Sequence, residues 1–100
     1  MWIKAAKSSD ITAEKPQIVE VDGKQIALFR SGKNIYAINN ICPHQGGPLG
    51  EGFLDGTEVT CPWHAWAFDV RTGACQTIPK VKQKTFKVKI KNEDVWIEME

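Results

Sequence analysis

No stretch of this 100-residue chain is apolar for long enough to cross a bilayer or to serve as the core of a signal peptide. The opening Met1-Trp2-Ile3-Lys4 runs directly into a charged segment, so a soluble, cytoplasmic protein is expected, with no membrane partner. An excess of one charge is also missing. Thirteen Lys and Arg stand against twelve Asp and Glu, a formal net charge of +1, where a nucleic-acid binder would show a strongly basic balance. Cysteine is sparse, three residues without a disulfide pattern, which fits a reducing compartment. Repeats, low-complexity segments and helical periodicity of useful length are lacking too. One domain with one core fits the length, a second catalytic domain does not, and the hydrophobic fraction of 42% is ordinary for a globular chain.

What is present is a series of short β-like runs divided by turn chemistry, so the expected class is all-β. Strands are predicted at Trp2 to Ala6 and Gln17 to Val21, and Asp22-Gly23 turns the latter into Gln25 to Arg30. Ser31-Gly32-Lys33-Asn34 leads into Ile35 to Asn39. Asp55-Gly56 divides two further short strands, the second being Glu58 to Thr60. Ala67 to Val70 follows, and Thr72-Gly73 makes the next turn. A last hairpin pairs Thr85 to Lys91 with Val95 to Met99 across Asn92-Glu93-Asp94. Ser8-Ser9-Asp10-Ile11 can cap a single helical turn.

Both histidines and two of the three cysteines fall in two short motifs. Cys42-Pro43-His44 is C-x-H, and Cys61-Pro62-Trp63-His64, beginning after sixteen intervening residues, is C-x-x-H. Two thiolates and two neutral imidazoles suit either one tetrahedral zinc or a two-iron cluster with cysteines on one iron and histidines on the other. Structural zinc sites usually bring C-x₂₋₄-C and H-x₃₋₅-H pairs, whereas each pair here is mixed. The loop from Asn40 to Gly52 carries Pro43, Gly46, Gly47, Pro48, Gly50 and Gly52. Such a loop can aim backbone N–H groups at sulfides that gain negative charge on reduction, a need a single zinc does not have.

The runs Cys42-Pro43-His44-Gln45-Gly46-Gly47-Pro48-Leu49 and Cys61-Pro62-Trp63-His64-Ala65-Trp66-Ala67-Phe68-Asp69 resemble the Rieske family, in particular the small soluble ferredoxins of bacterial aromatic-ring dioxygenase systems. Ile78-Pro79 matches the family's proline loop. The resemblance implies one 2Fe-2S cluster, with Cys42 and Cys61 on the buried iron and His44 and His64 on the iron nearer solvent. Gln45, Gly47, Trp63, Ala65, Trp66 and Pro79 are then expected around the cluster, and no residue is expected to be catalytic. It also implies a Rieske fold in a single domain. Residues 1–39 and 81–100 would form an antiparallel β-sandwich base, and residues 40–80 an inserted small β cluster-binding subdomain.

Two departures set the chain apart from the respiratory branch of that family. Gly47 and Trp63 stand where that branch has disulfide-forming cysteines, and Trp66 and Phe68 stand where it has serine and tyrosine hydroxyls donating to sulfur. Cys75 lacks a partner cysteine outside the cluster motifs and reads as a buried hydrophobe. Trp2, Trp96 and Phe86 read as core, while Trp63 and Trp66 either fill space or shield the cluster. Six lysines lie between Lys80 and Lys91 without an acid, alternating in part with Phe86, Val88 and Ile90, the pattern of a solvated edge strand. Lys80 and Lys82, next to Pro79, can also steer an acidic partner. The expected function is one-electron transfer from an NAD(P)H-linked flavin reductase to a terminal oxygenase by a chain that is a monomer when isolated. The alternatives are a small subunit of an assimilatory nitrite reductase, whose large subunit would be the partner, and a structural zinc module.

Overall fold

A computed structural model describes residues 1–43, 46–63 and 65–99. Ten strands are assigned in it: β1 (Trp2–Lys7), β2 (Gln17–Val21), β3 (Lys24–Ser31), β4 (Asn34–Asn39), β5 (Phe53–Asp55), β6 (Glu58–Thr60), β7 (Ala67–Asp69), β8 (Thr85–Phe86), β9 (Val88–Lys91) and β10 (Asp94–Glu98). No α-helix occurs among the described residues, as expected, and no helix is long and apolar enough to cross a membrane. The strands form three antiparallel sheets, ordered β1-β10-β9, β2-β3-β4-β8 and β5-β6-β7.

β3 explains how the layers stack. Its run Ile26-Ala27-Leu28-Phe29 is buried without a break, which marks a strand covered on both faces. Ala27 and Phe29 point into one core with Ile38, Cys42, Leu49, Val59, Cys61, Phe68, Val70 and Cys75. Ile26 and Leu28 point into another with Ile11, Ile35, Ala37, Val95, Ile97 and Met99. The four-stranded sheet therefore stands between a core that contains the cysteines and one that joins the chain termini.

Turn residues fix the register. Asp22 and Gly23 both have positive φ, 54° and 78°, and they hold Val21 opposite Lys24 as a two-residue hairpin requires. Asn92 and Glu93 repeat the device between β9 and β10 at φ 54° and 72°.

Three expectations are corrected. The predicted strand from Thr85 to Lys91 is two strands, because hydrogen bonding passes from β4 to β10 at Lys87, whose carbonyl accepts from Glu98 N–H at 3.0 Å. The turn at Ser8–Asp10 is 3₁₀ and has no side-chain cap. Arg30 supports it instead, donating from Nε to Ile11 O at 2.6 Å and from Nη2 to Ser8 O at 2.7 Å. Trp2 is not core: it lies on the outer face of the three-stranded sheet, 37% exposed, with Lys89 Nζ 4.4 Å from its ring. That contact caps the aromatic face with a cation. Trp96 and Phe86 are half-buried, and β9 is an edge strand with Ile90 exposed, as the lysine alternation suggested.

Candidate metal centre

Cys42 and Cys61 each sit at the start of a loop that closes on itself in the same way. Cys42 N–H donates to Gly47 O at 2.9 Å, and Gly46 N–H donates back to Cys42 O at 2.8 Å. In the second loop Cys61 N–H donates to Trp66 O at 2.7 Å, and Ala65 N–H donates back to Cys61 O at 3.1 Å. The matching residues Gly46 and Ala65 both have positive φ, 79° and 59°, so the two loops turn alike about their thiols. Glycine adopts this conformation freely, whereas Ala65 holds it against its Cβ, local strain of the kind that gathers at functional sites.

The loops meet at Gly47. A Cβ built there would lie 2.8 Å from Cys61 Sγ and 3.0 Å from Trp63 Cγ, so the backbone of the first loop rests against the thiol of the second. Cys42 and Cys61 are each 2% exposed and in no disulfide. The Trp63 ring extends into solvent, 58% exposed, while Trp66 is half-buried against the core that contains both thiols. The structure thus brings Cys42, Gly47, Cys61 and Trp63 together, with Ala65 and Trp66 closing the second loop. Pro79 lies in an adjoining exposed turn, held by Ile78 N–H on Cys75 Sγ at 3.3 Å and by Val81 N–H on Ile78 O at 3.0 Å. His44, Gln45 and His64 lie outside the described residues.

Two buried polar residues that the sequence did not single out hold the first loop. Asn40, 1% exposed, accepts Gly50 N–H on Oδ1 at 2.7 Å and donates from Nδ2 to Gln25 Oε1 at 3.0 Å. Gln83, 6% exposed, donates from Nε2 to the carbonyls of Asn39 at 3.0 Å and Ile41 at 2.6 Å. Neither belongs to a ligand motif, and the one available signal was position: Asn40 opens the glycine-rich loop, and Gln83 interrupts the lysines.

The second loop leaves through β7, where Asp69 and Arg71 pair at 2.9 Å and Arg71 N–H also donates to Asp69 Oδ1 at 2.8 Å. The Arg71 guanidinium hydrogen bond holds the Asp69 carboxyl below the usual carboxylate range, against an opposing effect of burial. A carboxyl lowered in the folded state stabilises the fold fully above its unfolded value of about 3.9, and that contribution fades as pH falls through the folded value. Asp69→Asn is therefore expected to be less stable than wild type in urea unfolding at pH 7. The gap should narrow as the pH drops below about 4. A constant gap would assign the loss to packing.

The donor set suits an iron–sulfur cluster. Two buried thiols share one core at the start of two loops that close alike, and the close approach at Gly47 leaves Cys61 Sγ against backbone. Comparison with known proteins agrees. Residues 1–92 match the family described as Rieske [2Fe-2S] domain. The chain is 43% identical over 100 residues to the ferredoxin component of the naphthalene 1,2-dioxygenase/salicylate 5-hydroxylase systems of Ralstonia sp, covering 99% of this chain and 96% of that protein. Among solved structures it resembles the Sphingomonas yanoikuyae B1 ferredoxin with a TM-score of 0.93 at 25% identity, covering 100% of both chains. It also resembles a chain from a complex of reduced oxygenase and oxidized ferredoxin in carbazole 1,9a-dioxygenase, with a TM-score of 0.87 at 33% identity, covering 96% of this chain and 91% of that one. With the motifs, the paired loops and the all-β architecture in agreement, the chain belongs to the Rieske [2Fe-2S] family.

Proposed function

We propose that this chain is a one-electron carrier that takes electrons from an NAD(P)H-linked flavin reductase and delivers them to a terminal oxygenase, with no substrate turnover of its own. The observation that carries this reading is the likeness to a dioxygenase-system ferredoxin over 99% of the chain, combined with two buried thiols on matching loops. One cluster per chain would be held by Cys42 and Cys61 on one iron and by His44 and His64 on the other. A bound 2Fe-2S group supplies a reversible one-electron step.

The chain's own residues do the rest. The Gly46 and Ala65 N–H groups hold the two cysteine carbonyls and so keep both loops turned about their thiols, with Gln45 and Gly47 in the first of these loops. Trp66, half-buried on the core that contains the thiols, keeps water from them, while the exposed Trp63 and, in its own exposed turn, Pro79 offer apolar surface that a partner can cover. Lys80 and Lys82, both exposed beside Pro79, attract an acidic partner face, an attraction that weakens with salt. Residues 40–80 act as the cluster-binding unit on a base of residues 1–39 and 81–100. The carrier works as a cytoplasmic monomer that meets its partners in turn.

Purified protein is expected to contain about two irons and two acid-labile sulfides per chain and to give a rhombic EPR signal when reduced. It should restore NAD(P)H-dependent turnover to a mixture of flavin reductase and terminal oxygenase. Stoichiometric zinc without sulfide would remove the reading. Stable co-purification with a nitrite reductase large subunit, without support of oxygenase turnover, would replace the free carrier by an enzyme subunit.

A further inference from the structure

Gln83 belongs to none of the motifs, yet it touches both halves of the site. Its side-chain amide donates to two carbonyls, that of Asn39 at the end of β4 at 3.0 Å and that of Ile41 in the first loop at 2.6 Å, the second belonging to the residue just before Cys42. The Ile41 carbonyl shares a rigid planar peptide unit with the Cys42 N–H, the group that closes the loop on Gly47 O at 2.9 Å. Holding one end of that unit fixes the direction of the other.

The Gln83 backbone reaches the opposite half. Its N–H donates to Gly73 O at 2.7 Å, and Gly73 N–H donates to Asp69 O, also at 2.7 Å, at the end of the strand that leaves the Cys61 loop. Gly73 has φ +82°, and a Cβ there would lie 2.0 Å from Gln83 O, so the two main chains are pressed together with no side chain between them. Lys84 N–H donates to Gln83 Oε1 at 3.1 Å and keeps the amide oriented with its NH₂ toward the first loop. One residue thereby spans from the peptide unit before Cys42 to the strand after Cys61.

We infer that Gln83 is a positioning residue that sets how the Cys42 and Cys61 loops face each other, and through them the reduction potential and lifetime of the bound cluster. This rests on the ligand reading proposed above. The NH₂ end of the Gln83 dipole points at the loop, so it favours the added negative charge of the reduced state. Its loss leaves the Ile41 carbonyl without that donor and lets the Cys42 peptide unit tilt.

The test compares cluster-loaded wild type, Gln83→Met, Gln83→Asn and Ile97→Val. Methionine keeps length and bulk but removes the donors. Asparagine keeps the amide but shortens its reach. Ile97→Val trims the other core, away from the cysteines. Voltammetry and iron release to a chelator are the readouts, neither of which requires a partner enzyme. Gln83→Met is expected to lower the reduced-to-oxidised ratio at fixed potential several-fold and to speed iron release about tenfold, the scale of losing a partner just outside the ligands. Ile97→Val should leave both unchanged. Where Gln83→Met does not load, Gln83→Asn decides: a lowered ratio supports the inference. An unchanged potential and release rate in the loaded variant overturns it, as does an equal change in Ile97→Val. Wild type without labile sulfide would instead remove the ligand reading itself, a distinguishable failure.

Discussion

Gly47→Ala is expected to give a folded chain that retains little cluster. The added methyl would lie 2.8 Å from Cys61 Sγ, 3.0 Å from Trp63 Cγ and 3.1 Å from Trp63 Cδ2. The Trp63 ring is largely in solvent and can swing aside, but Cys61 is 2% exposed in a packed core and its sulfur has nowhere to go without leaving the position from which it is proposed to bind the cluster. Backbone strain is not the cause, since Gly47 does not have positive φ. Cluster affinity should fall by about 10–100-fold, the range for disturbing a group that supports a ligand. Iron and sulfide per chain after anaerobic reconstitution measures this, with circular dichroism to verify the strands. Gly46→Ala is the contrasting case: φ is +79° and the nearest contact is Ile41 Cγ2 at 3.9 Å, so the cost is backbone strain of about 1–3 kcal/mol with the thiol undisturbed. Full loading of Gly47→Ala, equal to wild type, would mean that the two loops do not meet through Cys61.

The residues that made the site legible are those whose chemistry is scarce. Cysteine and histidine are few here, and their concentration in two motifs points to a metal site from the sequence alone. The strands were legible because period-two runs end at residues with a distinct conformational role: Asp22-Gly23 and Asn92-Glu93 both adopt the positive φ that a tight hairpin needs. Neither the division of Thr85 to Lys91 into β8 and β9 nor the exposure of Trp2 could be read this way. The first depends on which sheet offers the next hydrogen-bonding edge, and the second on Lys89 lying across the sheet from Trp2, both long-range pairings. The polar supports were hidden for a related reason. Asn40 beside glycines and Gln83 among lysines look like solvated loop residues. Only the folded chain shows Asn40 satisfying the Gly50 N–H across its own loop and Gln83 satisfying carbonyls on a segment distant in sequence.

The reduction potential is expected near the low end of the Rieske range, about −150 mV, because the side chains nearest the thiol core offer no hydroxyl donors at two informative positions. Phe68 is fully buried on β7, opposite Val59 and bridged to Cys75, in the same core as Cys42 and Cys61. Trp66 packs half-buried on that core, and its carbonyl closes the Cys61 loop. Reduction adds negative charge that a donor to sulfur would stabilise, so Trp66→Ser with Phe68→Tyr should raise the potential. A hydrogen bond to a charged acceptor contributes about 1.5–3 kcal/mol. Preferential stabilisation of the reduced form by about 1.4 kcal/mol is a tenfold change, or about 59 mV for one electron, so a rise of at least that size is expected if both hydroxyls reach sulfur. Packing opposes the gain, since the tyrosine hydroxyl enters a filled core and serine leaves a gap beside it, so stability should fall by about 1–3 kcal/mol. Voltammetry of wild type, the two single variants and the double variant separates the contributions. A wild-type potential well above zero would transfer the chain from flavin-reductase to quinol-linked chemistry. A double variant that stays at the wild-type value while loaded would show that neither side chain points at the cluster.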